Sequence, residues 1–174
     1  MLALLHNIRS LYNVGSMFRT ADAAGVEKLY LCGITPTPLD RFGTVRSQIH
    51  KVALGAEKTV PWEKCASTSR LIDRLKKEGY HIVAVEQDKK AIPYYSFSPV
   101  AVSLSLERIA IVMGNELAGL PQSILLKADT IVEIPMRGTM VRQAHHPRQS
   151  GRGKESLNVS VAFGIIAFHC MRKP

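Results

Sequence analysis

The hydrophobic pattern alternates between two kinds of segment. Short, nearly uninterrupted apolar runs at Leu2–Leu5, Lys28–Cys32, His81–Val85, Ile109–Met113 and Thr130–Ile134 have the length of strands buried on both faces. Between them, Val14, Met17, Phe18, Ala21 and Ala24 recur at helical spacing, with Asn13 as the expected N-cap and Gly25 as the stop. Ser47–Ala56 and Ser69–Glu78 predict further helices, the second capped by Ser69, ended by Gly79 and directing Leu71, Ile72 and Leu75 inward. Pro121–Ala128 predicts a short helix, whereas Thr59–Trp62 is too short to assign. Gly33–Gly43 reads as a loop. So does Pro93–Pro99, whose Tyr94, Tyr95 and Phe97 can pack against a sheet or stack on bases. The alternation predicts one α/β domain, a mostly parallel sheet flanked by helices.

Two stretches stand out from this pattern. The run Ile109–Met113 passes straight into Gly114-Asn115-Glu116 and stops at Gly119, as suits a central strand whose carboxyl end turns sharply beside a ligand. Ser156–Arg172 is helical in pattern but apolar nearly all round, which predicts cover on more than one side and hence a partner subunit. On the first helix, a step of about 100° per residue puts Arg19 opposite the apolar stripe, with its head free for a partner outside the core.

Composition narrows the classes. With 174 residues and 46% hydrophobic content the chain fits a single domain spanning 1–174. No apolar run reaches the roughly 18 residues of a membrane span, and Met1–Leu5 lacks the features of a signal peptide, so a cytoplasmic protein without a membrane partner is expected. Cys32, Cys65 and Cys170 are widely spaced and outside any CxxC pattern, predicting reduced thiols and no metal site. The net charge of +9 favours an anionic partner, with nucleic acid ahead of a membrane.

Three segments together resemble the SpoU (TrmH-like) branch of the SPOUT RNA methyltransferases. They are Asn7-Ile8-Arg9-Ser10 with Asn13 through Ala21; Ile111-Val112-Met113-Gly114-Asn115-Glu116 through Gly119-Leu120; and Ile134-Pro135-Met136 with Ser156-Leu157-Asn158 through Ala162. The resemblance implies a C-terminal deep trefoil knot holding S-adenosylmethionine, a homodimer with active sites at the subunit interface, and methylation of a ribose 2′-hydroxyl in tRNA or rRNA. It also implies a compact form, since larger relatives carry an N-terminal RNA-binding domain and the first motif here begins almost at Met1.

By the same resemblance Arg19 lies at the ribose hydroxyl. A guanidinium keeps its proton at neutral pH, so a clamp on the neighbouring phosphate suits it better than the role of a base. Asn13 would organise the substrate side of the pocket, although capping alone also accounts for it. Glu116 would fix Arg19 or an arginine of the partner subunit, with turn chemistry as the equal alternative. The pair Ser156 and Asn158 would sit beside the ribose and cofactor, while a plain N-cap accounts for Ser156 almost as well. Cofactor recognition is expected from groups around Met113, Gly114, Asn115, Ile134, Met136 and Leu157.

One departure from the family pattern is visible. Residues 141–154, VRQAHHPRQSGRGK, interrupt the join between the Pro-Met turn and the Ser-Leu-Asn motif, and their polar, basic character predicts an inserted mobile loop. Neither Gly151-Arg152-Gly153-Lys154, followed by Glu155 where a phosphate loop needs Ser or Thr, nor the adjacent His145-His146 has the spacing of a phosphate or metal site. The insertion either adds phosphate contacts or impairs the pocket, the second case leaving a non-catalytic RNA-binding homodimer of the same fold.

Overall fold

A computed structural model describes residues 1–98, 108–136 and 157–171. Its strands are β1 (Leu2–His6), β2 (Lys28–Cys32), β3 (Trp62–Cys65), β4 (His81–Val85), β5 (Ile92–Pro93), β6 (Ile109–Met113) and β7 (Thr130–Glu133). Its helices are α1 (Leu11–Ala24), α2 (Ser47–Ala53), α3 (Ala56–Thr59), α4 (Thr68–Lys77), α5 (Gln122–Leu125) and α6 (Val159–Met171). The strands form one seven-stranded sheet in the order β3-β2-β1-β6-β4-β7-β5, every pairing parallel.

Both faces of the sheet are covered, which is why its inner strands read as continuous apolar runs. Side chains alternate across a strand. Ala3, Leu5, Leu29, Leu31, Ile109, Ile111 and Met113 therefore pack with α1, α2 and α6 on one side. On the other, Leu2, Leu4, Ile82, Ala84, Ala110 and Val112 meet α4 and α5. Every residue of β6 is buried, and full burial of a large aliphatic side chain contributes about 1.5 to 3 kcal/mol.

Several boundaries differ from the sequence expectation. The N-cap of α1 is Ser10, in extended conformation and accepting from the Asn13 amide at 3.3 Å, so Asn13 is not the cap and its side chain is released for other partners. Helix α4 is likewise capped by Ser67 rather than Ser69, and Ser67 accepts from the Arg70 amide. The expected helix to Ala56 stops at Ala53 because Leu54 (φ 53) and Gly55 (φ 98) turn left-handed before α3 begins. Strand β3 was hidden by Glu63 and Lys64, polar residues of a strand at the sheet margin. Within Pro93–Pro99, Phe97 is buried and Tyr94 packs edge-on against His169 at 5.2 Å, so those two rings serve packing.

Helix α6 keeps its predicted character. It buries Val159, Phe163, Ile166, Ala167 and Cys170 and leaves Val161 and Phe168 more than half exposed. Burial raises the Cys170 thiol to about 12, keeping it an inert apolar group. The expected trefoil knot depends on the connection from β7 to α6, whose residues 137–156, with the 141–154 insertion and Ser156 among them, lie outside the described residues.

Candidate active site

The strand order sets where the chain can hold a ligand. From β1 the chain proceeds outward through β2 and β3, whereas β4, β7 and β5 lie on the far side of β6. Ligands of open parallel sheets bind outside the carboxyl ends of the strands near such a reversal. A cavity of about 340 Å³ opens there, at the ends of β4, β6 and β7 and against the start of α6. All six predicted cofactor residues, Met113, Gly114, Asn115, Ile134, Met136 and Leu157, line it. Val85, Glu86, Glu133, Val159 and Ala162 line it as well and were not anticipated. A residue directly after β4 could have been found only by knowing that β4 neighbours β6.

The loop after β6 is held in one shape by its own groups. Asn115 and Gly119 exchange backbone hydrogen bonds, and the Asn115 carboxamide oxygen accepts from the amides of Leu117 and Ala118. Its Nδ2 donates to the Asn7 carbonyl at 2.6 Å. The Asn115 side chain is thus engaged in building the loop and tying it to the turn after β1. Glu86 fastens the other end, accepting from the Leu120 amide at 2.7 Å. Gly119 is left-handed (φ 64), and a Cβ there would run into the Glu86 carboxylate. At Gly114 a Cβ would lie 2.7 Å from the Gly119 carbonyl carbon, so the two limbs of the loop touch only because it is glycine.

Glu116 does not bind Arg19, contrary to one of the two roles anticipated for it. Its carboxylate accepts from the amides of Arg9 (3.0 Å) and Ser10 (3.0 Å) and from the Asn13 Nδ2 (3.0 Å). Burial pushes its pKa up, but the hydrogen bonds from Arg9, Ser10 and Asn13 outweigh that and leave it below the ordinary carboxylate value. The charge sits at the amino end of α1, where free amides and the helix dipole favour an anion.

Asn13 extends this arrangement. While its Nδ2 donates to Glu116, its Oδ1 accepts from the Asn158 Nδ2 at 3.1 Å. Asn158 in turn caps α6, its Oδ1 accepting from the Ser160 amide (2.9 Å) and hydroxyl (2.7 Å). One hydrogen-bonded series therefore joins the first, central and last motifs. Arg19 is not part of it. It lies about 120° around α1 from Asn13, exposed and without a hydrogen-bond or ion-pair partner among the described residues.

Behind the series, His6 orders the turn after β1. Burial lowers its pKa, favouring neutral imidazole; one nitrogen meets the Thr68 hydroxyl at 2.7 Å and the other the Asn7 Nδ2 at 3.1 Å. Asn7, left-handed at φ 55, accepts from the Ile34 amide and so braces the start of the next loop.

A parallel α/β domain with a cavity at the sheet's carboxyl edge, whose wall includes Glu116 and through it ties to the Asn13–Asn158 pair, is the class that fold and site define. The description of the SpoU rRNA methylase family matches residues 1–141, and the chain belongs to that family. The 23S rRNA (guanosine-2'-O-)-methyltransferase RlmB of Coxiella burnetii is 32% identical over 99% of this chain and 58% of its own length. The RlmB of Neisseria meningitidis is 30% identical with the same coverage, so the chain spans less than two thirds of these relatives. Among solved structures, an AdoMet-bound rRNA methyltransferase from Sinorhizobium meliloti superposes with a TM-score of 0.77 at 25% identity, over 97% of this chain and 54% of its own. The A. aeolicus TrmH/SpoU tRNA modifying enzyme gives 0.75 at 26% identity, over 98% and 73%.

Proposed function

We propose that this chain is an S-adenosylmethionine-dependent methyltransferase that modifies a ribose 2′-hydroxyl in rRNA or tRNA, acting as a homodimer in the cytoplasm. The observation that carries the reading is the series Glu116–Asn13–Asn158, held by side-chain hydrogen bonds of 3.0 and 3.1 Å. Glu116 itself lines the cavity, so the series starts at its wall. Relatives that cover the whole chain are named as 2′-O-methyltransferases of 23S rRNA.

The residues present fit the cofactor. The cavity volume lies within the roughly 300 to 1,000 Å³ range of small-molecule sites. Val85, Ile134, Met136, Leu157, Val159 and Ala162 give it apolar walls, and Glu86 and Glu133 add carboxylates suited to a ligand bearing sulfonium and ammonium charges. When bound there, S-adenosylmethionine supplies an electrophilic methyl group. The chain's part is to align a ribose oxygen with it, and such alignment can lower a barrier by roughly 7 to 11 kcal/mol.

Asn13 and Asn158 hold each other in fixed rotamers, so an RNA strand laid along the rim meets an ordered polar edge. Glu116 keeps that edge in register with the cavity loop. Arg19, exposed and with no partner among the described residues, would clamp a phosphate of RNA bound to the other subunit, and that phosphate or water would take the hydroxyl proton. The exposed Val161 and Phe168 of α6 supply apolar surface for the subunit contact.

Incorporation of labelled methyl from S-adenosylmethionine into unmodified rRNA and tRNA transcripts tests the reading. The protein should transfer label to a ribose, and Asn158→Ala should lower the rate about a hundredfold, the scale of a small misalignment. Cofactor and RNA binding with no incorporation would instead establish the non-catalytic RNA-binding dimer.

A further inference from the structure

The loop between β2 and α2 carries chemistry that the catalytic reading does not use. Leu39 and Val45 form an antiparallel bridge that closes a tight turn over Asp40–Thr44. Asp40 fixes its shape: Oδ1 accepts from the amides of Phe42 (2.8 Å) and Thr44 (2.9 Å), and its own amide donates to the Thr44 carbonyl. At the tip Phe42 is 75% exposed, and the Arg41 guanidinium lies 4.7 Å from its ring centroid. An ordered turn that presents a phenyl ring to water, with Ile34, Leu39 and Val45 also exposed around it, is a surface shaped to meet something.

Charge decides what it meets. The Asp40 carboxylate is engaged by backbone amides, and neither Arg41 nor Arg46 has an acidic partner among the described residues. The Arg46 Nε is buried with no hydrogen-bond partner there. Lys51, exposed on α2, adds a further cation without an ion pair among the described residues. A second copy of the chain would bring like charges together at this surface, whereas a polyanion with flat, unpaired rings matches both the cations and the phenyl face.

The turn also stands in the right place. Its root is pinned by Thr35, fully buried, whose hydroxyl donates to the Leu5 carbonyl at 2.7 Å and accepts from the Ile8 amide at 3.0 Å. The Ile34 amide donates to Asn7, whose carbonyl holds Asn115 of the cavity loop. The loop therefore leaves the sheet at the same carboxyl edge as the cavity, beside the strand that precedes the Glu116-bound turn.

We propose that the Asp40–Thr44 turn is an RNA-docking finger, in which Phe42 stacks on an unpaired base of the substrate RNA while Arg41 and Arg46 contact the flanking phosphates. This inference rests on the RNA methyltransferase reading above. It adds a contact that selects single-stranded RNA outside the reacting nucleotide.

Wild-type protein and the variants Phe42→Ala and Phe42→Trp are titrated with single-stranded oligoadenylate and with a duplex of equal length, and assayed for methyl transfer to transcribed rRNA and tRNA. Phe42→Ala should weaken oligoadenylate binding about ten- to a hundredfold, the scale of one base–aromatic stack. It should raise the KM for RNA, with kcat and calorimetric S-adenosylmethionine affinity within about twofold of wild type, as for loss of uniform substrate binding. Phe42→Trp should restore binding, its added emission being quenched by oligoadenylate and hardly by the duplex. Wild-type affinity and KM in Phe42→Ala, or a shift in its sedimentation showing that the ring covers a second copy, would overturn the finger while leaving methyl transfer intact. Absence of RNA binding and transfer in the wild type would instead remove the underlying reading and the finger with it.

Discussion

Glu116 joins the cavity wall to the amino end of α1, and its chemistry gives a prediction with a definite sign. The carboxylate accepts from two main-chain amides and the Asn13 side chain, and these bonds hold its pKa below the ordinary value despite burial. Glutamine keeps the size but turns a donor toward donors, so Glu116→Gln should cost about 1 to 2 kcal/mol, the partial exposure keeping it below a fully buried case. A depressed carboxylate contributes stability that is complete above its unfolded value and is lost as pH falls through its folded value. The difference between wild type and Glu116→Gln in urea unfolding should therefore be constant near neutral pH and shrink as pH drops below 4.5. A gap that persists unchanged into acid would show that shape, not charge, holds the turn. The sequence indicated that Glu116 and Asn13 belonged together but not how. An Asn immediately before the first buried helical position looks like a cap, and only the backbone of Ser10 reveals that the helix starts a turn earlier, leaving Asn13 free to bridge to Asn158.

At the scale of elements, the loop after β6 behaves as one unit because Asn115, Gly119 and Glu86 constrain it from inside and outside. Gly119→Ala puts a Cβ on a left-handed residue and displaces Glu86 from the Leu120 amide. Expected is a loss of about 1 to 3 kcal/mol in thermal unfolding and at least a tenfold loss of S-adenosylmethionine affinity by calorimetry. Unaltered affinity would show that the cavity tolerates a reshaped wall. The five apolar strands were legible because burial on both faces removes polar residues from them. Strand β3 was not, since its place at the margin lets Glu63 pair with Lys28 at 2.7 Å and makes a strand look like a loop. Glu86 and Glu133 were missed for a different reason: periodicity reveals that strands exist but not which lie side by side, and the cavity is a property of that order.

The whole molecule poses the question that a single chain leaves structurally specific. Within one chain Asn13, Glu116 and Asn158 are gathered, and Arg19 is exposed on another side of α1, the helix that packs against α6, whose apolar Val161 and Phe168 remain exposed. Pairing two copies through α1 and α6 would bury that apolar surface and could carry Arg19 of one subunit to the asparagines of the other, as a closed twofold arrangement does for any residue near its axis. Mixing impaired subunits distinguishes this from a site made within one chain. Arg19→Ala and Asn158→Ala should each retain no more than about a hundredth of wild-type transfer as homodimers. In a mixed dimer with sites shared across the interface, one site combines an intact Arg19 with an intact Asn158, and the other lacks both. Random pairing of equal amounts makes half the dimers mixed, so about a quarter of wild-type methyl transfer should return on unfolding and refolding the two together. If each site were built from a single chain, every site in the mixture would lack one of the two residues and no activity would return. A monomeric protein in sedimentation would remove the shared site altogether and leave Arg19 no route to the ribose in the arrangement described.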